Sequence, residues 1–393
     1  MTADDALVRI ALVTGYLGAG KTTLLNHLLA NDEDARIAVI VNDIGEVNID
    51  AELIADGGFS QADNVIPLTN GCICCTLADD LAAQLASLAA SGDFDYIAIE
   101  ASGICEPMPI AYTISEFCTS AGEQGEGEGE GEGREPTRFG RQLALDNIIA
   151  VVDCARMVEE FSGGRSLLRD QIDEDDVESL LVQQLEFCST VVLNKVDLVD
   201  AGQLEEVRAI VRSLQKDAVV LEARDGEVPV AELLNTGRFN FDDVYRSAAW
   251  LEMLAHAGHH HDEPETLEYG ISTFMYERRQ PFSVEAFAGF AEAWPDSVIR
   301  TKGFAWVDQY PDTCFILEQA GMQRKFVDNG PFAASLPADE REQVLARNPG
   351  IRDRWDASCG DRLTRLVFIG RNMDQASIEA RLDACLTAWT PGE

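Results

Sequence analysis

Positive charge is scarce in this sequence. Only 5 of its 393 residues are lysine, and 30 basic side chains face 69 acidic ones for a formal net charge of −39. Nucleic acids and anionic membrane surfaces need basic patches to displace their counterions, so both are excluded as expected partners. Long apolar runs are missing too. No stretch approaches eighteen uninterrupted apolar residues, so no membrane-spanning helix is expected. The amino terminus, MTADDALVRIALVTGYLG, lacks the basic flank of a secretory signal and runs directly into a glycine loop. It reads as a first β-strand, and the expected location is the cytoplasm.

What is present is an alternation of buried strands and helices. Apolar, β-branched runs occur at 7–15, 36–43, 64–70, 94–103, 147–153, 189–197 and 218–223, with helical patterns after the first (21–30) and third (78–90) and further helical stretches between later strands. Continuous apolar strands alternating with helices predict an α/β, doubly wound, mainly parallel sheet over residues 1–245. Ligands of such sheets sit beyond the carboxyl ends of the strands. Two discontinuities interrupt the chain. Alternating Gly and Glu at about 120–138 cannot bury a core and reads as a disordered insertion. Residues 246–266 form a linker holding four of the five histidines. Beyond it, 267–393 mixes strands with helices at SVEAFAGFAEAW and DQASIEARLDACLTAW, as a smaller α+β domain with a largely antiparallel sheet would.

The motifs cluster at predicted strand ends. GYLGAGKT at 15–22 has the G-x-x-x-x-G-K-[ST] spacing, placed after a strand and before a helix. Gly15, Gly18 and Gly20 let successive N–H groups turn toward phosphate oxygens, with Ala19 and Thr23 completing the loop, and the following helix adds its positive end. Lys21 reaches the β and γ phosphates as a point charge, and Thr22 is a ligand for Mg²⁺. NKVD at 194–197 supplies a base reader. The Asp197 carboxylate accepts from N1–H and the exocyclic amine of guanine, whereas adenine leaves it unpaired, at a cost of a few kcal/mol. The expected nucleotide is GTP, with Asn194 and Lys195 bracing the loop and packing along the base. Glu100 ends the strand of IAIEASG, where an acidic residue serves Mg²⁺ or its waters, and the Gly103 N–H can face the γ-phosphate. Asp43, Glu46 and Asp50 follow the second strand and are further candidates for phosphate or metal.

Ten cysteines in a reducing compartment point to free thiols or metal ligands. Cys72, Cys74 and Cys75 lie together in NGCICCTL, and a bond between adjacent Cys74 and Cys75 would strain the backbone. Buried packing is one reading. The other is three of the four donors of a tetrahedral site, favouring Zn²⁺, Cu⁺ or Co²⁺ over Mg²⁺ or Ca²⁺. The fourth would come from an acidic residue of 43–50 (Asp43, Glu46 or Asp50), a histidine or water. His259, His260 and His261 are either incidental linker residues or a metal-collecting tract.

Taken together, TGYLGAGKTTLLNHLL, VNDIGEVNIDAELI, NGCICCTL, EASGICEP, VVLNKVDLV, TKGFAW and GDRLTRLVFIGRNMD resemble the CobW-like P-loop GTPases, and within them the zinc-responsive YciC-like metallochaperone branch. The resemblance covers nearly the whole chain. It implies a GTPase domain of SIMIBI type, a CobW-type carboxy-terminal domain, and slow GTP hydrolysis coupled to delivery of a transition metal, zinc or alternatively cobalt, to a client metalloprotein. The carboxy-terminal domain is the expected client-docking part. Two other errands fit the same residues: a cobalt chaperone for cobalamin synthesis or metalloenzyme activation, and a GTP-regulated zinc buffer or sensor with negligible turnover. The Gly-Glu insertion and the extra thiol Cys105 depart from the family pattern, and Cys105 is read as filling space.

Overall fold

A computed structural model of the chain describes residues 7–30, 36–42, 65–68, 78–103, 105, 107–123, 142–161, 177–240, 265–266, 270–320 and 323–389. The chain divides into two compact units.

The first is built on strands β1 (Leu7–Thr14), β2 (Ile37–Asn42), β3 (Val65–Leu68), β4 (Tyr96–Glu100), β5 (Gln142–Asp153), β6 (Thr190–Asn194) and β7 (Val219–Glu222). They form one sheet in the order β3-β2-β4-β1-β5-β6-β7, and each pairing is parallel. Strands β4 and β6 are buried at all positions, as expected of strands covered on both faces. The helices between these strands in the chain are α1 (Lys21–Leu29), α2 (Ala78–Ser91), α3 (Pro107–Glu123), α4 (Cys154–Phe161), α5 (Val177–Glu186) and α6 (Ala201–Leu214), of which the parts within Glu160–Val182 and Arg208–Lys216 group with the second unit. Each follows the 3.6-residue period of its apolar side chains. In α1, Leu24, Leu25 and Leu28 are fully buried in a cluster with Val13, Val39 and Val151, contributing about 2 kcal/mol apiece in removed apolar surface. In α6, Asp200 accepts from the Gln203 N–H while the Gln203 side chain accepts from the Asp200 N–H, both at 2.9 Å. This reciprocal cap explains why the helix starts at Ala201. Sequence order reverses around β1, whose neighbours are β4 and β5, so a crevice opens beyond its carboxyl end.

The second unit holds β8 (Glu265–Thr266), β9 (Ile271–Arg278), β10 (Val298–Ala305), β11 (Thr313–Ala320), β12 (Gln323–Pro331) and β13 (Thr364–Arg371) in the order β12-β11-β10-β13-β9-β8, paired antiparallel throughout. Helices α7 (Val284–Glu292), α8 (Ala338–Arg347), α9 (Pro349–Asp353) and α10 (Gln375–Asp383) accompany it. Its core is aromatic: Phe274, Tyr276, Phe282, Phe287, Phe290, Trp294 and Phe368 form one buried cluster with Ile378 and Leu382, and Phe274 stacks on Phe368 at 4.9 Å.

Several expectations need correction. Residues 120–123, expected to open the disordered insertion, form the last turn of α3; 124–138 lie outside the described residues. Glu265–Thr266, assigned to the linker, pair with β9. The last helix stops at Asp383, short of Trp389, because the following chain joins the sheet region: Ser283 N donates to Cys385 O at 2.8 Å and Thr387 N to Pro281 O at 2.9 Å. Strand β12, absent from the sequence reading, is an exposed sheet edge with no apolar face to betray it. Among the described residues, no helix is long and apolar enough to cross a membrane.

Candidate nucleotide site

The loop after β1 is shaped by what its glycines avoid. Gly15 has φ 140°, and a Cβ there would lie 2.3 Å from the Val151 carbonyl oxygen. Gly20 has φ 103°, and a Cβ would lie 2.3 Å from Asn194 Nδ2. Any other residue would have to move β5 or β6, so the loop lies flat on the strand ends. Ala19 is buried, and its N–H donates to Tyr16 O at 3.1 Å. Gly20 caps α1 in the left-handed region and brings no side-chain acceptor, so the first-turn amides of α1 face outward from the crevice floor as an anion cradle.

Lys21 is buried within this cradle. Its Nζ donates to Gly15 O at 2.9 Å, lies 3.5 Å from Tyr16 O, and stands 4.0 Å from Glu100 Oε1. Glu100, at the end of β4, is 2% exposed. Thr22 is half-buried and Thr23 exposed in the same helical turn. The chain after Glu100 stays close: Ala101 N donates to Val13 O at 2.8 Å, and a Cβ on Gly103 would meet Leu17 N at 2.8 Å. Ala101–Gly103 therefore runs against the end of β1, with Gly103 packed directly on the phosphate loop. A hydroxyl, a carboxylate and an ammonium brought together beside helix amides form a donor set that fits Mg²⁺ and phosphate oxygens.

NKVD closes the other side. Asn194, 2% exposed, donates from Nδ2 to Ala19 O at 2.9 Å and accepts at Oδ1 from Gly226 N at 3.0 Å. It thus clamps the phosphate loop to the turn after β7. Lys195 takes φ 58°, and its Nζ donates to Gly18 O at 2.8 Å and to Asp153 Oδ2 at 2.6 Å. Asp197 sits exposed in the short 3₁₀ turn Val196–Leu198, its carboxylate free of buried structural duty.

Four contributors escaped the sequence reading. Asp153 pairs Lys195; an acid at the end of the apolar run NIIAVVD was the available signal. Gly226 has φ 72°, and a Cβ there would approach Leu24 N to 3.0 Å; the Asp225-Gly226 turn after a strand pointed to it. Arg156 stacks over the Tyr16 ring at 4.4 Å. Gln184 on α5, 2% exposed, donates to Gly103 O at 3.0 Å; nothing local marks it. The extra thiol Cys105 is buried at 2% exposure and is not in a disulfide.

The profile of the CobW/HypB/UreG nucleotide-binding domain matches residues 9–222. This chain belongs to the CobW/HypB/UreG family. The profile of the cobalamin synthesis protein cobW C-terminal domain also matches, over 271–386. Relatives of this CobW-family chain include a zinc-regulated GTPase metalloprotein activator 1 from Dictyostelium discoideum, 37% identical over 96% of this chain and 79% of its own length. A zinc chaperone CobW from Sinorhizobium sp is 29% identical over 97% and 98%. The zinc chaperone YjiA of Escherichia coli strain K12 is 26% identical over 95% and 97%.

The expected metal ligands Cys72, Cys74, Cys75, Asp43, Glu46, His259, His260 and His261 lie outside the described residues, as does Asp50. Among the described residues, no group of three or more His, Cys, Asp or Glu is arranged to hold a metal.

Proposed function

We propose that this chain is a cytoplasmic, GTP-hydrolysing metallochaperone that takes up zinc at Cys72, Cys74 and Cys75 and passes it to a client protein docked on its carboxy-terminal domain. The observation that carries the nucleotide half is the Asn194 clamp. One buried amide bonds the phosphate loop at Ala19 and the β7 turn at Gly226, so base reader and phosphate cradle form one rigid receptor. The names of the relatives support zinc over cobalt.

Each residue then has a task. The amides of Gly18, Ala19, Gly20, Lys21, Thr22 and Thr23 hold the phosphates, and Lys21 neutralises the β and γ oxygens from its buried seat. Asp197 reads guanine by two charge-assisted hydrogen bonds. Mg²⁺, held by the Thr22 hydroxyl with Glu100 behind it, would neutralise charge developing on the phosphate oxygens. Gly103 would meet the γ-phosphate through its N–H, and Gln184 anchors the carbonyl of the same residue. Loss of the γ-phosphate would release that loop from one side only. The cysteine segment follows β3 and precedes α2 in the chain, and nucleotide state would set its order.

The test is zinc titration with and without a non-hydrolysable GTP analogue. Tighter zinc binding with the analogue is expected, and linkage requires zinc to tighten the analogue by the same factor. Equal affinities refute the coupling. The triple change of Cys72, Cys74 and Cys75 to Ser should abolish tight zinc binding and spare nucleotide affinity. Single-turnover hydrolysis that ignores zinc would favour the buffer reading instead.

A further inference from the structure

The carboxy-terminal unit contains a cavity of about 210 Å³ that plays no part in the nucleotide site. Its walls are Phe332, Leu363, Val344 and Ile351, the last two contributed by α8 and α9. An apolar cavity of about 150 Å³ accepts benzene, so this one takes a phenyl or branched alkyl group with space for a polar head.

The polar groups of the lining differ sharply in their state. Asp361 is spent: its two oxygens accept from Ala333 N and Ala334 N, each at 2.8 Å. Asn329 hydrogen-bonds the Cys314 thiol, which burial pushes up to about 12 and keeps protonated. Arg354 is the exception. Its carbonyl accepts from Arg279 at 2.6 Å, yet its guanidinium donates no hydrogen bond among the described residues. Burial disfavours its charge, Arg365 and Arg279 repel it, and Glu277 and Asp353 attract it. Glu277 is already bonded by Arg365 Nε at 2.6 Å. Arg354 thus offers an unspent planar donor fork beside an apolar hole.

We propose that the cavity binds a carboxylate on a compact apolar body, the carboxylate bridging to Arg354 and the body lying against Phe332, Leu363, Val344 and Ile351. A carboxylate matches the guanidinium fork and relieves the repulsion among the arginines. The same chemistry is offered by a free aryl or alkyl acid and by the carboxyl-terminal leucine or phenylalanine of a protein. The inference stands apart from metal delivery, because it invokes neither nucleotide nor zinc.

Calorimetric titration of the full chain tests it with three probes: 3-phenylpropionate, an acetylated tripeptide ending in phenylalanine with a free carboxylate, and the amide of that tripeptide. At least one acid should bind, the amide at least about tenfold more weakly than its acid, and Arg354→Gln should weaken acid binding by about tenfold or more. Val344→Trp should fill the hole and abolish binding, with GTP hydrolysis unchanged in both variants. Binding of 3-phenylpropionate alone identifies a small acid as the ligand, and binding of the tripeptide acid identifies a protein carboxyl terminus. No binding up to about 5 mM, equal binding of acid and amide, or an unaffected Arg354→Gln variant overturns the proposal. If Val344→Trp fails to fold, the acid–amide comparison on the unaltered chain still decides.

Discussion

Replacing Asn194 by Ala removes both arms of the clamp while adding no bulk. Ala19 O loses a donor at 2.9 Å and Gly226 N loses an acceptor at 3.0 Å, at a position 2% exposed. Each buried partner left unsatisfied costs about 1–3 kcal/mol, so the pair sums to roughly 2–6 kcal/mol, with the lower half favoured if water enters the gap. The loss is local, because both orphaned groups belong to loops joined by this side chain. Hydrogen exchange is the direct assay: the Gly226 amide should exchange about thirtyfold faster or more, with amides of the β-sheet little changed. Titration with a fluorescent GDP analogue should show affinity falling by at least about tenfold, since the base reader and the cradle no longer hold a common geometry. Unchanged exchange at Gly226 together with nucleotide affinity within about twofold would refute the receptor argument.

Three further outcomes are expected. Asp197→Asn, at an exposed site without structural partners, should leave thermal stability unchanged while weakening GTP by about two orders of magnitude, measured by competition against ATP; retained selectivity for guanine would place the base elsewhere. Asp146 accepts from Tyr96 Oη at 2.6 Å, Gly237 N at 2.7 Å and Thr236 N at 3.0 Å while 3% exposed, so Asp146→Asn should cost about 2–4 kcal/mol in urea unfolding. Burial lifts the Cys118 thiol to about 11, and Cys188 and Cys314 to about 12. Since these pKa values are raised on folding, the folded state holds protons that the unfolded state releases first. Their contribution is complete below the usual thiol value of 9 and is lost as pH climbs toward 12, so thermal stability should fall over that window, and iodoacetamide at pH 7.5 should leave all three unmodified.

Periodicity and punctuation determined much of this protein from the chain alone. Buried parallel strands are apolar along their whole length, so β1, β4 and β6 were readable to within three residues at each end, and the glycine spacing of 15–20 pointed to the phosphate loop. The expectation of GTP was likewise drawn from side-chain type, since a carboxylate at Asp197 would select guanine by hydrogen-bond complementarity. These are short-range signals, carried by residues close in sequence.

What tertiary structure decided depends on residues that meet from far apart. Asn194 reaches Ala19 across 175 positions, Lys195 reaches Gly18 across 177, and Gln184 finds Gly103 across 81. No periodicity encodes such meetings; sheet order creates them by setting β6 and the β7 turn beside the end of β1. Edge strand β12 was invisible for a related reason, since a strand exposed on its surface needs no apolar pattern and its existence rests on pairing with β11. The same holds for the unspent guanidinium of Arg354, which only the packing of α9 against the antiparallel sheet sets beside an apolar hole.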